Sequence, residues 1–310
     1  MSPSTHVIVG AGPLGSSVAR SLLAEGHRVR LVSRLGRATV DGATPHVADA
    51  TVPASLDAAF SEAAVVYQCA QPAYHRWAEE FPALQDSILD AATRAGADVV
   101  IADNLYTYGS PGTGTITESS PESGTTRKGA VRRKMAESAL ARHRAGQLRV
   151  ALSRPSTYFG PGYELLNDTV FRRALKGQPM QALGSVDHPH SFSYVPDAGK
   201  AMATLGTSDE GWGRVWIPPV QPAVTTHEFL SRIWRMACQS GRPRIQVVSP
   251  PMLRLVGFFS GPAREAHEMM YEFTSAYVVD SGLFQSTFEA SPTPMDAAIT
   301  ATLQDVGLQR

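Results

Sequence analysis

Short apolar runs alternate with amphipathic stretches through the first half of the chain. Val7-Ile8-Val9 is apolar throughout, the pattern of a strand buried on both faces, and Gly10 follows at once. A helical pattern then runs from about Leu14 to Ala24 and stops at Gly26, and Arg28 to Val32 predicts a second strand. Thr44 to Ala50 predicts a third strand, Leu56 to Glu62 a short helix, and Ala63 to Ala70 a buried parallel strand. Phe81 to Ala95 reads as a helix with Leu84, Ile88, Leu89 and Ala92 on one face, ended by Gly96. Asp98 to Ala102 is a further strand, Lys128 to Ala145 a basic, alanine-rich helix, and Leu148 to Ser153 the next strand. This alternation predicts a parallel, doubly wound α/β sheet, with ligands bound at the carboxyl ends of its strands.

Beyond Gly160-Pro161-Gly162 the rhythm changes. Helices are expected over Asn167 to Lys176, Pro196 to Leu205, Pro251 to Phe259 and Ala263 to Phe273, with a last one starting at Thr293-Pro294. Thr225 and Glu228 have capping-box spacing before a helix over Phe229 to Cys238. Short strands are expected at Ser191 to Tyr194, Arg214 to Ile217 and Arg244 to Val248. The expected division is a nucleotide-binding domain over residues 1–162 and a smaller α/β substrate lobe over residues 163–310, interleaved in one compact unit.

The first strand-to-helix turn, Gly10-Ala11-Gly12-Pro13-Leu14-Gly15, carries glycines at the spacing of a dinucleotide site. There Gly10 permits the tight turn, Gly12 the approach of a pyrophosphate, and Gly15 the close packing of helix on sheet. Pro13 and Leu14 open the helix, whose free N–H groups and dipole favour phosphate. An acidic residue to hold a free ribose 2′-hydroxyl is missing at the end of the second strand. Ser33, Arg34 and Arg37 stand there instead, which suits a 2′-phosphate and selects NADP(H) over NAD(H). Asp49, Ala70, Gln71 and Pro155 complete the expected cofactor-binding positions.

Composition narrows the setting. The 310 residues are 43% hydrophobic and 18% charged, as in a globular protein with a sizeable core. Basic and acidic residues number 28 each, so no global field favours nucleic acid or a membrane surface. Cys69 and Cys238 cannot form a disulfide framework and read as buried thiols in a reducing compartment. No signal peptide or bilayer-spanning run is expected, so the location is cytoplasmic, the partner a small molecule, and the state monomer or homodimer.

Together these pieces resemble the short-chain dehydrogenase/reductase superfamily, in its extended, epimerase/dehydratase-like branch. Besides the glycine motif, the resemblance rests on Tyr108-Gly109, Arg154-Pro155 through Tyr158-Phe159-Gly160-Pro161-Gly162, and Ser193-Tyr194-Val195-Pro196-Asp197. It implies a Rossmann-type fold with a substrate lobe. It also implies a Tyr-x-x-x-Lys pair on the helix after the long loop Ser110 to Gly124, the lysine lowering the tyrosine pKa. Alignment on Glu137 puts Gly129 at the tyrosine position and Arg133 at the lysine position. Lys134 is one residue away, about 100° round the helix. The chain therefore looks like the atypical subgroup that has lost much of this machinery.

Replacement groups must come from elsewhere. Tyr106, just past the fifth strand, either serves a substrate oxygen or is a half-buried aromatic bonded to backbone. Asn104 either donates to a carbonyl oxygen or caps a loop; Asp103 is a general base or a turn residue. Arg133, or Lys128, binds nicotinamide ribose or substrate oxygen, unless the basic run simply faces water. Tyr74 and Tyr158 flank the expected nicotinamide pocket or merely pack, and Met269 to Phe273 line an apolar pocket or a core. His188-Pro189-His190 lacks the companion ligands of a metal centre, so no metal is expected. The sequence favours an NADP(H)-dependent oxidoreductase acting on a small, fairly apolar carbonyl or alcohol. A non-redox isomerase, epimerase, cyclase or dehydratase, or a non-enzymatic NADP(H) sensor, also fits the same fold.

Overall fold

A computed structural model describes residues 4–36, 40–112, 114–251, 253, 265 and 267–308. The first half alternates β1 (Thr5–Val9), α1 (Pro13–Ala24), β2 (Arg28–Ser33), β3 (Thr44–Val47), α2 (Pro53–Phe60), β4 (Ala63–Gln68), α3 (Trp77–Ala95), β5 (Asp98–Ala102) and α4 (Arg127–Arg144). The strands Val150–Ser153 and Val215–Trp216 complete a seven-stranded sheet. Its order is Val215–Trp216, Val150–Ser153, β5, β4, β1, β2, β3, and every pairing is parallel. The order reverses at β1, so a crevice opens at the carboxyl ends of β1 and β4.

Period-two alternation within buried strands divides the core between two helical layers. Val7, Val66, Val99 and Leu152 pack with α2, α3 and α4 through Leu56, Phe60, Ile88 and Met135. Ile8, Tyr67, Val100 and Ala151 face α1 and the helix Val195–Thr207 through Val18, Leu22, Ala201 and Met202. That helix approaches α1 closely: a Cβ on Gly199 would lie 2.4 Å from Ser17 Oγ. The stretch beyond residue 163 thus supplies both a layer helix and a sheet strand to the nucleotide-binding half. The lobe has its own core of Phe159, Phe171, Phe192, Phe229, Trp234 and Ile299.

Several boundaries differ from the sequence pattern. β3 ends at Val47 because Asp49 turns the chain, its Oδ1 accepting from Thr51 N (3.0 Å). α3 starts at Trp77, ahead of Pro82, because Trp77 and Phe81 are buried together; their ring centroids are 5.1 Å apart. Asn167–Phe171 is a π turn leading into the helix Arg172–Leu175. Thr225 does cap its helix, Oγ1 accepting from Glu228 N (3.0 Å), though that helix runs Thr226–Met236. The helix expected over 251–259 lies almost wholly outside the described residues. The one expected over 263–273 shows a turn at 269–270 before the short helix Tyr271–Thr274. Cys69 is shielded, burial pushing its thiol up to about 12, whereas Cys238 is exposed, contrary to the buried reading. No described helix is long and apolar enough to cross a membrane.

Candidate functional site

The glycine loop is built by steric necessity. Gly10 has φ 113° and donates to Val32 O (2.9 Å), and a Cβ there would stand 2.6 Å from Ala70 N. A Cβ on Gly15 would fall 1.9 Å from Gly10 O, so only glycine lets the helix start this close to the turn. Gly12 precedes α1 with nothing within 4 Å of its Cβ position, leaving an open backbone face beside Pro13, Leu14 and Gly15. Ala70 and Gln71 follow β4 on the same edge. Gly162 comes across from the Gly-Pro-Gly segment, its Cβ position 3.5 Å from Pro13, and Pro155 is buried nearby in sequence. These features fit a dinucleotide pyrophosphate.

At the end of β2, Ser33 Oγ accepts from Gly36 N (3.1 Å), shaping a turn on which Arg34 is exposed. Asp49 faces this turn. Its carboxyl is held below the usual range, first by the Thr51 backbone N–H and also by the Arg34 charge. Arg37 lies outside the described residues.

The other side of the crevice departs from expectation. Asp103 is not an available base: Arg132 Nε donates to its Oδ1 (2.7 Å) and Arg154 Nε to its Oδ2 (2.6 Å). Burial alone would raise its pKa, but the two guanidinium groups outweigh burial and hold the carboxyl below the usual range. Arg154 also donates to Glu122 (2.6 Å), and Arg132 to Ala102 O (2.9 Å). The network pins β5, α4, the long loop and the strand Val150–Ser153 together beneath the segment that carries Asn104 and Tyr106.

Asn104 Oδ1 accepts from Tyr106 N (3.1 Å), the loop-capping role. That turn brings the Tyr106 carbonyl down onto α4. A Cβ on Gly129 would lie 2.5 Å from Tyr106 O, and one on Gly124 2.4 Å from the same oxygen. The position where the resemblance calls for a tyrosine is therefore sterically closed by the Tyr106 backbone. Arg133, at the lysine position, reaches back to donate to Gly124 O (2.6 Å). In place of a helix tyrosine, the Tyr74 hydroxyl donates to the Tyr106 hydroxyl (3.2 Å). Burial pushes both phenols up, so both stay protonated at neutral pH.

The basic run on α4 is only partly solvated, with Arg127 and Lys134 exposed. Lys128 and Arg132 are each 2% exposed. Lys128 Nζ is paired with Glu265 and Glu268 and lies 4.5 Å from the Tyr74 ring centre. Glu272 follows, with its carboxyl buried in the lobe and pushed up to about 8 by burial. His190 Nε2 bonds Thr157 Oγ1 (2.8 Å) and its Nδ1 faces Glu272 O (3.1 Å); burial lowers its pKa to about 4. Sequence reasoning passed over Glu272, although one acid inside Met269-Met270-Tyr271-Glu272-Phe273 was a visible signal. Met269 and Met270 are buried packing residues. Among the described residues no group of three or more His, Cys, Asp or Glu is placed to hold a metal ion.

Residues 6–216 match the NAD dependent epimerase/dehydratase family, and the chain belongs to it. Among solved structures, it is similar to dTDP-glucose 4,6-dehydratase from Bacillus anthracis, in complex with NAD, at 17% identity and TM-score 0.80, covering 99% of this chain and 97% of that one. It is also similar to UDP-glucose 4-epimerase from Thermotoga maritima, with UDP-glucose: 14% identity, TM-score 0.79, 98% and 99% of the two chains. UDP-glucuronic acid 4-epimerase from Bacillus cereus, in complex with UDP-glucuronic acid and NAD, gives 14% identity, TM-score 0.78, and 99% and 100% coverage. A search of the curated proteins finds no match.

Proposed function

We propose that this member of the epimerase/dehydratase family is an NADP(H)-dependent reductase of a small, fairly apolar carbonyl compound. The observation that carries the reading is the pair of half-buried, protonated phenols, Tyr106 and Tyr74, whose hydroxyls meet beyond the carboxyl end of β5. Gly10, Gly12, Pro13, Leu14 and Gly15 would hold the dinucleotide, with Ala70, Gln71 and Pro155 along its path and Asp49 near its adenine end. Ser33 and Arg34, at a strand end that itself carries no acidic residue, favour a 2′-phosphate. When bound, the nicotinamide supplies hydride transfer.

The chain's own residues handle the oxygen. The Tyr106 hydroxyl receives a hydrogen bond from Tyr74, so its own proton is free to be donated to a substrate oxygen, and Tyr74 can replace it. The free amide N–H groups of Asn104 offer a second donor beside it. Raised phenol pKa values keep Tyr106 in the protonated form that carbonyl reduction needs and leave little phenolate to act as the base in alcohol oxidation. Arg133 and the Asp103 network act on this centre by fixing the loop. A net non-redox reaction, epimerisation or dehydration, is favoured by the family to which the chain belongs.

The test is incubation of the purified protein with NADPH or NADH and carbonyl compounds of graded size, following absorbance and bound cofactor. Carbonyl-dependent NADPH oxidation is expected. NADPH binding without turnover of chemically diverse carbonyls would sink the reductase reading. Substrate conversion at constant NADPH would favour the non-redox one.

A further inference from the structure

Two buried acidic side chains in this protein are treated in opposite ways. Asp103 is matched by two arginines. Glu272 is 7% exposed, and its Oε1 has no hydrogen-bond partner; no described cation pairs with it. Buried polar groups without partners are costly and uncommon, and they mark places where a ligand or water completes the bonding. The hydroxyl of Tyr277, which is 1% exposed, is buried and unpartnered as well, and the Tyr271 hydroxyl has only the Glu272 carboxyl beside it. All three lie within one short stretch of the lobe.

The surroundings restrict what could satisfy them. The Tyr271 and Tyr277 ring centres are 6.3 Å apart, and Tyr277 and Phe273 both stack on His190. His190 has both ring nitrogens engaged and is neutral. The nearby ammonium of Lys128 is already shared by Glu265 and Glu268. Glu272 also acts electrostatically on Tyr74, Tyr106 and Tyr163, so it belongs to the same region as the phenol pair. A carboxyl group, phenol oxygens and aromatic faces, without a free cation among the described residues, are complementary to a positively charged nitrogen.

We propose that Glu272, with the hydroxyls of Tyr271 and Tyr277, binds the protonated amine of a substrate whose reacting carbon lies toward Tyr106. This rests on the reading of Tyr106 as the group that serves the substrate oxygen. The site thereby selects amine-bearing carbonyl or alcohol compounds. Neutral analogues leave the buried Glu272 carboxyl without a charged partner. Because burial keeps the Glu272 carboxyl protonated near neutral pH, binding an ammonium group must drive a proton off it.

The experiment is titration calorimetry of the full chain with NADPH, using benzylammonium and benzyl alcohol as probes. Measurements in two buffers of different ionisation enthalpy count the protons released. The amine is expected to bind at least about tenfold tighter than the alcohol, with most of a proton released at pH 7 and tighter binding toward pH 8. Glu272→Gln should abolish both the preference and the proton release. The wild-type comparison stands even if that variant folds poorly. Equal binding of the probes, binding of neither, or an amine preference that survives Glu272→Gln would overturn the proposal. The readout is binding alone. Turnover of a neutral carbonyl without amine preference would therefore defeat this inference and leave the reductase reading standing.

Discussion

The two sides of the crevice obey different rules. On the β1–β2 side the site is made of backbone, and glycine is demanded wherever a Cβ would strike main-chain atoms, as at Gly10 and Gly15. On the β5–α4 side it is made of side chains from distant segments: Tyr74, Asp103, Tyr106, Lys128, Arg154 and Glu272. A backbone-built site tolerates little change and stays recognisable. A side-chain-built site can be rewired, and the function proposed above takes it to have been rewired here. The comparison also explains why losing the helix tyrosine is more than a point change, since the Tyr106 loop has settled into the space above Gly129.

That contrast can be broken most forcefully at Asp103. Asp103→Asn leaves Arg132 buried without its counter-charge and Arg154 with Glu122 alone, and should cost roughly 3–5 kcal/mol of stability. Denaturant unfolding measures it, and a loss below about 1 kcal/mol would show that the network does not hold the loop. Gly129→Ala comes next. Its Cβ must push the Tyr106 carbonyl away, costing about 1–3 kcal/mol, so restoring a tyrosine there cannot recover activity. A Gly129→Tyr variant that folds normally and turns over faster would contradict the closed-position account. The smallest effect lies on the cofactor side. Arg34→Asp should weaken NADPH binding about tenfold while leaving NADH binding unchanged or improved, as read by fluorescence titration. Equal losses for both cofactors would remove the argument for the 2′-phosphate.

Legibility followed the same divide. The parallel, doubly wound sheet and the glycine turn could be read from Val7-Ile8-Val9 and the runs after it, because apolar runs and glycine spacing are local signals. Asp103 was visible as a strand-end acid. Its role depended on arginines 29 and 51 residues away, and no local pattern records such pairing. Lys128 and Arg132 resembled a solvated basic run, since their acidic partners come from the lobe and from β5. Tyr74 and Tyr106 were each noticeable alone, but 32 residues separate them, and only the fold joins their hydroxyls.

The central claim is that the oxygen chemistry has moved from α4 to Tyr106, and Tyr106→Phe tests it most directly. With any carbonyl compound that the wild-type protein reduces, this variant should lose about 10²-fold or more in kcat while NADPH affinity stays unchanged. Turnover within a few-fold of wild type, at unchanged NADPH affinity, would contradict the account.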